Sequence, residues 1–182
     1  MSVDGTDCPT ANVHDGSRKP VKRHYTIKFK RAGLRYEVGL CIRAEIIVWV
    51  AGPYLPGEMN DWQIFQDGMM NALEEGERVE ADKGYIGGCP EYCKIPGHIT
   101  SSEGNEVMRG RVRMRHEAIN DRIKVFDCLK KRFDHSIQHH SACFRASVVL
   151  TQLGLNSGDE FMNCREYDDR LTDEQAESLF GV

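Results

Sequence analysis

No apolar run in the chain approaches the ~20 residues that a membrane-crossing helix needs. The opening MSVDGTDCPT has neither the basic start nor the apolar stretch of a secretory signal. The seven cysteines are odd in number, which argues against a disulfide framework and for free thiols in a reducing interior. There is no internal repeat and no low-complexity tract. These absences point to an intracellular soluble protein with no membrane partner. What is present fits that class: 182 residues, 40% hydrophobic and 29% charged, enough for one domain, or one domain with a tail, around a proper core.

A large excess of charge of one sign is lacking overall but not locally. The formal net charge of −4 argues against general nucleic-acid affinity. Yet residues 17–35, SRKPVKRHYTIKFKRAGLR, hold eight Lys/Arg and no acid. Residues 109–133 hold nine against Glu117, Asp121 and Asp127. Together they contain 17 of the 24 basic residues, while acids gather in EEGERVEAD and between residues 159 and 177. A local basic surface binds phosphate whatever the total charge. Lys19, Lys22, Arg23, Lys28 and Lys30 are candidate phosphate contacts on this basis, the alternative being an ordinary solvated face.

The pattern of residues predicts an order of elements. SVDGTD reads as a first strand, LRYEVGLCI (34–42) as a second, and the apolar run IIVWVAG (46–52) as a third, buried on both faces. NDWQIFQDGMMNALEEG reads as a helix capped by Asn60 or Asp61 and ended by Gly76. ERVEADKGY reads as a short strand running into a turn, and residues 89–104 as an irregular excursion. A long helix is expected from Glu106 or later to about Phe133, and another from about Ser136 to Leu155. The tail from Asn156 is polar, with Thr172 and Gln175 resembling a capping box before a short last helix. A hairpin followed by a helical crossover to a further strand implies a mixed sheet with flanking helices. That is an α/β class, and the order is that of a ribonuclease H-like fold. The expected division is a domain over 1–155 and a tail over 156–182.

Three acids fall where such a fold could use them: Asp4 in the first strand, Asp82 at the end of the strand after the crossover, and Glu117 on the long helix. If the first and fourth strands are neighbours, both aspartates reach one sheet edge and the helix brings Glu117 over them. Phosphodiester cleavage needs an activated water and a stabilised leaving oxyanion, and two Mg²⁺ ions ~3.5–4 Å apart, held by a few carboxylates, supply both. At ~100° per residue, Arg113, Glu117, Asn120 and Lys124 share a stripe of roughly 60° on one helix face. An arginine and a lysine beside a metal-binding glutamate suit phosphate. The plainer alternative is an Arg113–Glu117 pair at i,i+4 on a solvated helix.

VDGTD, VEADKGY and RVRMRHEAINDRIKVFDCLKKRF together resemble the DDE-type transposases, in particular the PIF/Harbinger group. The resemblance runs from Asp4 to about Leu155. It implies a DDE superfamily endonuclease domain with Asp4, Asp82 and Glu117 as catalytic acids and ligands of Mg²⁺ or Mn²⁺. It implies DNA as substrate, a nuclear location, and a homo-oligomer or a separate DNA-binding partner. The family's R-x3-E-x6-K pattern is met by Arg113, Glu117 and Lys124, while Gly110 stands where a tyrosine often precedes it. Asp61, in EMNDW, stands where family members often have a His-Asp pair and is an alternative second acid, although its place at a helix start favours an N-cap. Family members carry an upstream DNA-binding region, so this chain is expected to be a catalytic-domain fragment. A catalytically inactive binding remnant is the alternative. A third reading is a zinc module starting from Cys89, Cys93 and His98, completed by His135, His139, His140 or Cys143, although no second pair has matching spacing.

Overall fold

The computed structural model describes residues 1–11, 21–97 and 103–167, and side chains in the last stretch from residue 106. Lys19, His98 and the Thr172–Gln175 box lie outside the described residues. The strands are β1 (Ser2–Pro9), β2 (Tyr25–Thr26), β3 (Arg31–Leu40), β4 (Ile47–Tyr54), β5 (Val79–Glu80) and β6 (Cys93–Lys94). The helices are α1 (Asp61–Asp67), α2 (Glu103–Ile123), α3 (Asp127–Lys130) and α4 (Ile137–Asn156). The sheet order is β2-β3-β1-β5-β6, with β4 also paired to β3. β1 and β4 run antiparallel to β3, whereas β5 and β6 continue the sheet in parallel from β1. This is a mixed α/β fold compatible with a ribonuclease H-like arrangement. The first strand and the strand after the crossover are indeed neighbours.

Alternation along β3 separates two cores. Leu34, Tyr36, Val38 and Leu40 pack with Cys8 against Ile119 and Ile123 of α2, Leu129 of α3, and Phe144 and Leu155 of α4. On the other face Val3, Val79 and Cys93 pack with Phe65 of α1, Met69 and Tyr85. Burying side chains of this size contributes roughly 1.5–3 kcal/mol each before conformational entropy is counted. Tyr36 stacks on Phe144 with ring centroids 3.7 Å apart, and its hydroxyl shares a 2.8 Å hydrogen bond with His140 Nδ1. The sheet is therefore clamped between α2–α4 and α1.

Several local expectations are corrected. The third strand is not buried on both faces: β4 pairs only with β3 among the described residues, and Val48 is half exposed. An apolar run suits an edge strand with one covered face as well as a central one. The helix predicted from Asn60 to Gly76 breaks at Gly68, whose backbone (φ −124°, ψ −90°) leaves the helical region, and a 3₁₀ turn over Met69–Ala72 follows. The long helix ends at Ile123 instead of Phe133. The turn lets Leu129 enter the first core and Phe133 bridge to Thr10 beside β1. The excursion after Cys89 contains β6.

The polar stretch after α4 also packs on the domain as far as it is described. Cys164 is buried with Ile42 and Val112, and Tyr167 donates its hydroxyl to Glu80 at 2.6 Å. Arg115 donates to the carbonyls of Met162, Cys41 and Ala44, so it knits this stretch to the hairpin rather than facing phosphate. No helix among the described residues is long and apolar enough to cross a membrane.

Candidate acidic cleft

β1 and β5 pair in register at Ser2–Glu80 alone. Beyond that point the two strands part, and a cleft of about 470 Å³ opens between β1, the residues after β5, the start of α1 and the face of α2. Asp4, Asp82 and Glu117 all line it, as does Asp61. Arg113, Lys124 and Lys28 line it too. Lys22, Arg23 and Lys30 do not; they are exposed, the first two on a 3₁₀ turn over Lys22–His24.

Asp61 is not the cap of α1. Asn60 takes that role, accepting from the backbone N–H of Gln63, while the Gln63 side chain accepts from the backbone N–H of Asn60. With the cap satisfied, the Asp61 carboxylate is left for the cleft. It stands over two glycines. A Cβ on Gly5 would lie 2.5 Å from Asp61 Oδ1, and one on Gly84 would lie 2.7 Å from Asp61 Oδ2 and 2.9 Å from Asp82 Oδ1. Both carboxylates thus crowd a point that only a residue without a side chain leaves open. Asp82 is itself fixed by the backbone N–H of Gly84, which donates to Oδ1 at 2.7 Å.

Arg35 supplies the local countercharge. Its Nε and Nη2 donate to the two oxygens of buried Asp7 at 2.7 and 3.2 Å, and its Nη1 donates to Asp61 Oδ1 at 3.0 Å. The Asp7–Arg35 contact follows from the register of β1 and β3, which places the two residues opposite each other. Burial, with Asp82 and Asp7 nearby, still pushes Asp61 above the usual carboxylate range, against the opposing pull of Arg35.

Asp4 is the most perturbed acid of the site. Burial and the charges of Asp82 and Asp61 push its pKa from 3.8 to about 7, against the pull of the Gly5 backbone N–H and Lys28. Asn120 donates its side-chain amide to Asp4 Oδ2 at 2.8 Å. Glu117, one turn earlier on α2, is exposed at the cleft. Behind the acids, Ser2 Oγ shares a 2.8 Å hydrogen bond with His116 Nδ1. Burial, aided by Arg115, pushes His116 down to about 4, so it is a neutral ring near neutral pH.

Seven carboxylates line the cleft, those of Asp4, Asp7, Asp61, Glu80, Asp82, Glu117 and Asp121, against the cations of Lys28, Arg35, Arg113 and Lys124. Three buried polar atoms of cleft-lining residues have no hydrogen-bond partner: the acceptor Asn120 Oδ1, the donor Arg113 Nη1 and the ring nitrogen His116 Nε2. An unspent acceptor and an unspent donor are what a cation and an anion, respectively, would satisfy. Among the described residues no group of three or more His, Cys, Asp or Glu is already assembled to hold a metal ion. The donor chemistry nevertheless fits a hard divalent cation that keeps part of its water shell: every donor is oxygen, and the acids repel one another until a countercharge arrives. Among the described residues no Cys/His group is assembled for zinc: Cys93 is buried in the second core with Cys89 packed on it, and His140 shares a hydrogen bond with Tyr36 through Nδ1.

No family model, no curated protein and no solved structure matches the chain.

Asp7, Arg35 and His116 have no place in the acid pattern read from the sequence, and Asn120 appears there only as a position on a helix stripe. Asp7 lies three residues after Asp4, and Arg35 sits inside a basic run. The cross-strand register that pairs them was the missing signal.

Proposed function

We propose that the cleft is a divalent-cation-dependent phosphodiester site. The chain is then a DNA endonuclease or strand-transfer domain of the transposase type, with Asp4, Asp82 and Glu117 as its acids. The observation that carries this reading is that the three acids, placed on a strand, a strand end and a helix, line one cleft with Arg113 and Lys124. Asp4, Asp82 and Glu117 would hold Mg²⁺ or Mn²⁺, which when bound supplies an activated water and charge stabilisation for the leaving oxygen.

The chain's own groups do the remaining work. Arg113, which lines the cleft, would offer its planar guanidinium to a phosphate oxygen. Lys28 and Lys124 flank it and neutralise the neighbouring backbone. Asn120 fixes the direction of the Asp4 carboxylate, and Arg35 does the same for Asp61. Phosphate contacts carry no base information, so the domain is an unspecific binder of DNA. A nuclear location and a separate source of target specificity belong to this reading.

The test is cleavage and binding of random DNA against terminal-repeat DNA, with and without Mg²⁺, at two salt concentrations. Glu117→Gln should abolish metal-dependent cleavage and leave binding nearly intact. Tight, salt-insensitive, sequence-selective binding by this chain alone would overturn the assignment of its specificity elsewhere. A second reading, a binding remnant without catalysis, draws on the absence of a pre-assembled ligand group among the described residues. Calorimetry with Mn²⁺ separates the two, since a remnant that has lost the site takes up no cation.

A further inference from the structure

We propose that an apolar pocket adjoining the cleft receives an unpaired nucleobase, so that the preferred substrate is single-stranded or locally opened DNA. This rests on the reading that the cleft takes a phosphate of the same strand. The pocket has a volume of about 430 Å³, within the ~300–1,000 Å³ of ordinary small-ligand sites. It adjoins the cleft, Asp121 and Lys124 lining both. Its apolar walls are Phe29, Pro9, Val125 and Leu129.

Phe29 is placed before any ligand arrives. Its backbone N–H donates to Thr26 Oγ1 at 3.3 Å. The next residue, Lys30, adopts a positive φ of 53°, and the Arg31 guanidinium lies 5.9 Å from the ring centroid. A half-buried aromatic ring held this way is a stacking platform for any base, since every base offers a π-face. Val125, 64% exposed, stands on the same pocket.

The charge pattern selects a nucleotide over an apolar peptide anchor. In the cleft, seven carboxylates face four cations, a balance that attracts a metal. In the pocket the balance reverses, with Asp121 against Lys124 and Lys130. Lys28, which precedes Phe29 in sequence, lines the cleft itself. A strand laid along this path puts a base on Phe29, its sugar-phosphate at Lys124 and Lys130, and the adjoining phosphate before Lys28 and Arg113. Polyanion with an aromatic ring is the one common ligand chemistry that meets both demands.

The test measures binding of a labelled short oligothymidylate and of an abasic oligomer of equal length, by fluorescence anisotropy, in EDTA and again in Mn²⁺. Phe29→Ala should weaken oligothymidylate binding about 5- to 150-fold and leave the abasic oligomer unchanged. Phe29→Trp should keep the affinity and show emission quenched by oligothymidylate but not by the abasic oligomer. Equal losses for both oligomers, or no loss for either, would overturn the pocket. If cleavage in Mn²⁺ is absent while base-dependent binding persists, the nuclease reading falls and this one stands. Cleavage with Phe29→Ala affinity unchanged sinks this one alone.

Discussion

The side-chain amide of Asn120 donates to Asp4 at 2.8 Å and so ties the helix that carries Glu117 to the strand that carries Asp4. The bond is charge-assisted when Asp4 is ionised, the kind worth about 1.5–3 kcal/mol. Asn120→Ala should therefore lower stability by about 1–2 kcal/mol after partial hydration of the exposed side of the cleft, read from a denaturant midpoint. It should also lower Mn²⁺ affinity, whereas Asn120→Asp should make stability depend on Mn²⁺ more strongly than in the natural chain.

Asp4 predicts a pH effect. Its folded pKa of about 7 lies above its ordinary 3.8, so the folded chain holds a proton that the unfolded chain releases. Stability from this group is complete below about pH 4 and is lost as the pH rises through about 7, by no more than about 4 kcal/mol. Asp4→Asn should raise the melting temperature at about pH 8 and leave it nearly unchanged at about pH 4. A variant no more stable than the natural chain at about pH 8 would show that the acids are not in conflict.

Gly84 tests the crowding of the carboxylates. Alanine there would bring a methyl group within 3 Å of oxygens from Asp61 and Asp82, the far ends of two side chains that make room only by loosening their hydrogen bonds to Arg35 and the Gly84 N–H. Gly84→Ala should thus cost under about 1 kcal/mol of stability, as surface-accessible changes do, yet weaken Mn²⁺ binding at least about tenfold. Calorimetric titration alongside a melt separates the two effects.

Removing Arg35 should be severe. Its loss leaves the carboxylate of Asp7, 4% exposed, without its bidentate partner, and breaking one side of a buried pair costs about 3–5 kcal/mol. Arg35→Gln should lower the unfolding free energy by that order, and adding Asp7→Asn should recover part of it. Additive losses in the double variant would show that the two residues do not act as a pair.

Phosphate binding should follow salt. Single-stranded DNA loses about 0.7 in log–log slope for each phosphate contact removed. Lys124→Ala should flatten the slope of oligonucleotide affinity against salt by about that amount, and Lys22→Ala, remote from the cleft, should leave it unchanged.

The class of fold was legible because β3 alternates and because ERVEADKGY ends in turn residues; both survive as β3 and β5. That Asp4, Asp82 and Glu117 line one cleft was legible for the same reason, since element order brings their positions together. Asp61 was misjudged because Asn and Asp side by side at a helix start compete for the cap, and only the reciprocal Asn60–Gln63 bonds decide between them. Arg35 and Asp7 were illegible as a pair because 28 residues separate them and only register joins them. The break after Ile123 was hidden because nothing in KVF forbids a helix. It is Leu129 and Phe133, seeking the core and β1, that turn the chain.

β5 is two residues long, and one of them, Glu80, is gripped from outside the sheet by Tyr167 at 2.6 Å and by Arg109 at 3.5 Å. Anyone cropping the chain for crystallisation would be drawn to the end of α4, where the sequence turns polar. That cut would retain every strand and helix among the described residues and still unfasten the lead-in to Asp82. The sensible crop point lies past Tyr167, and a shorter fragment that melts normally but takes up less Mn²⁺ would be the signature of having missed it.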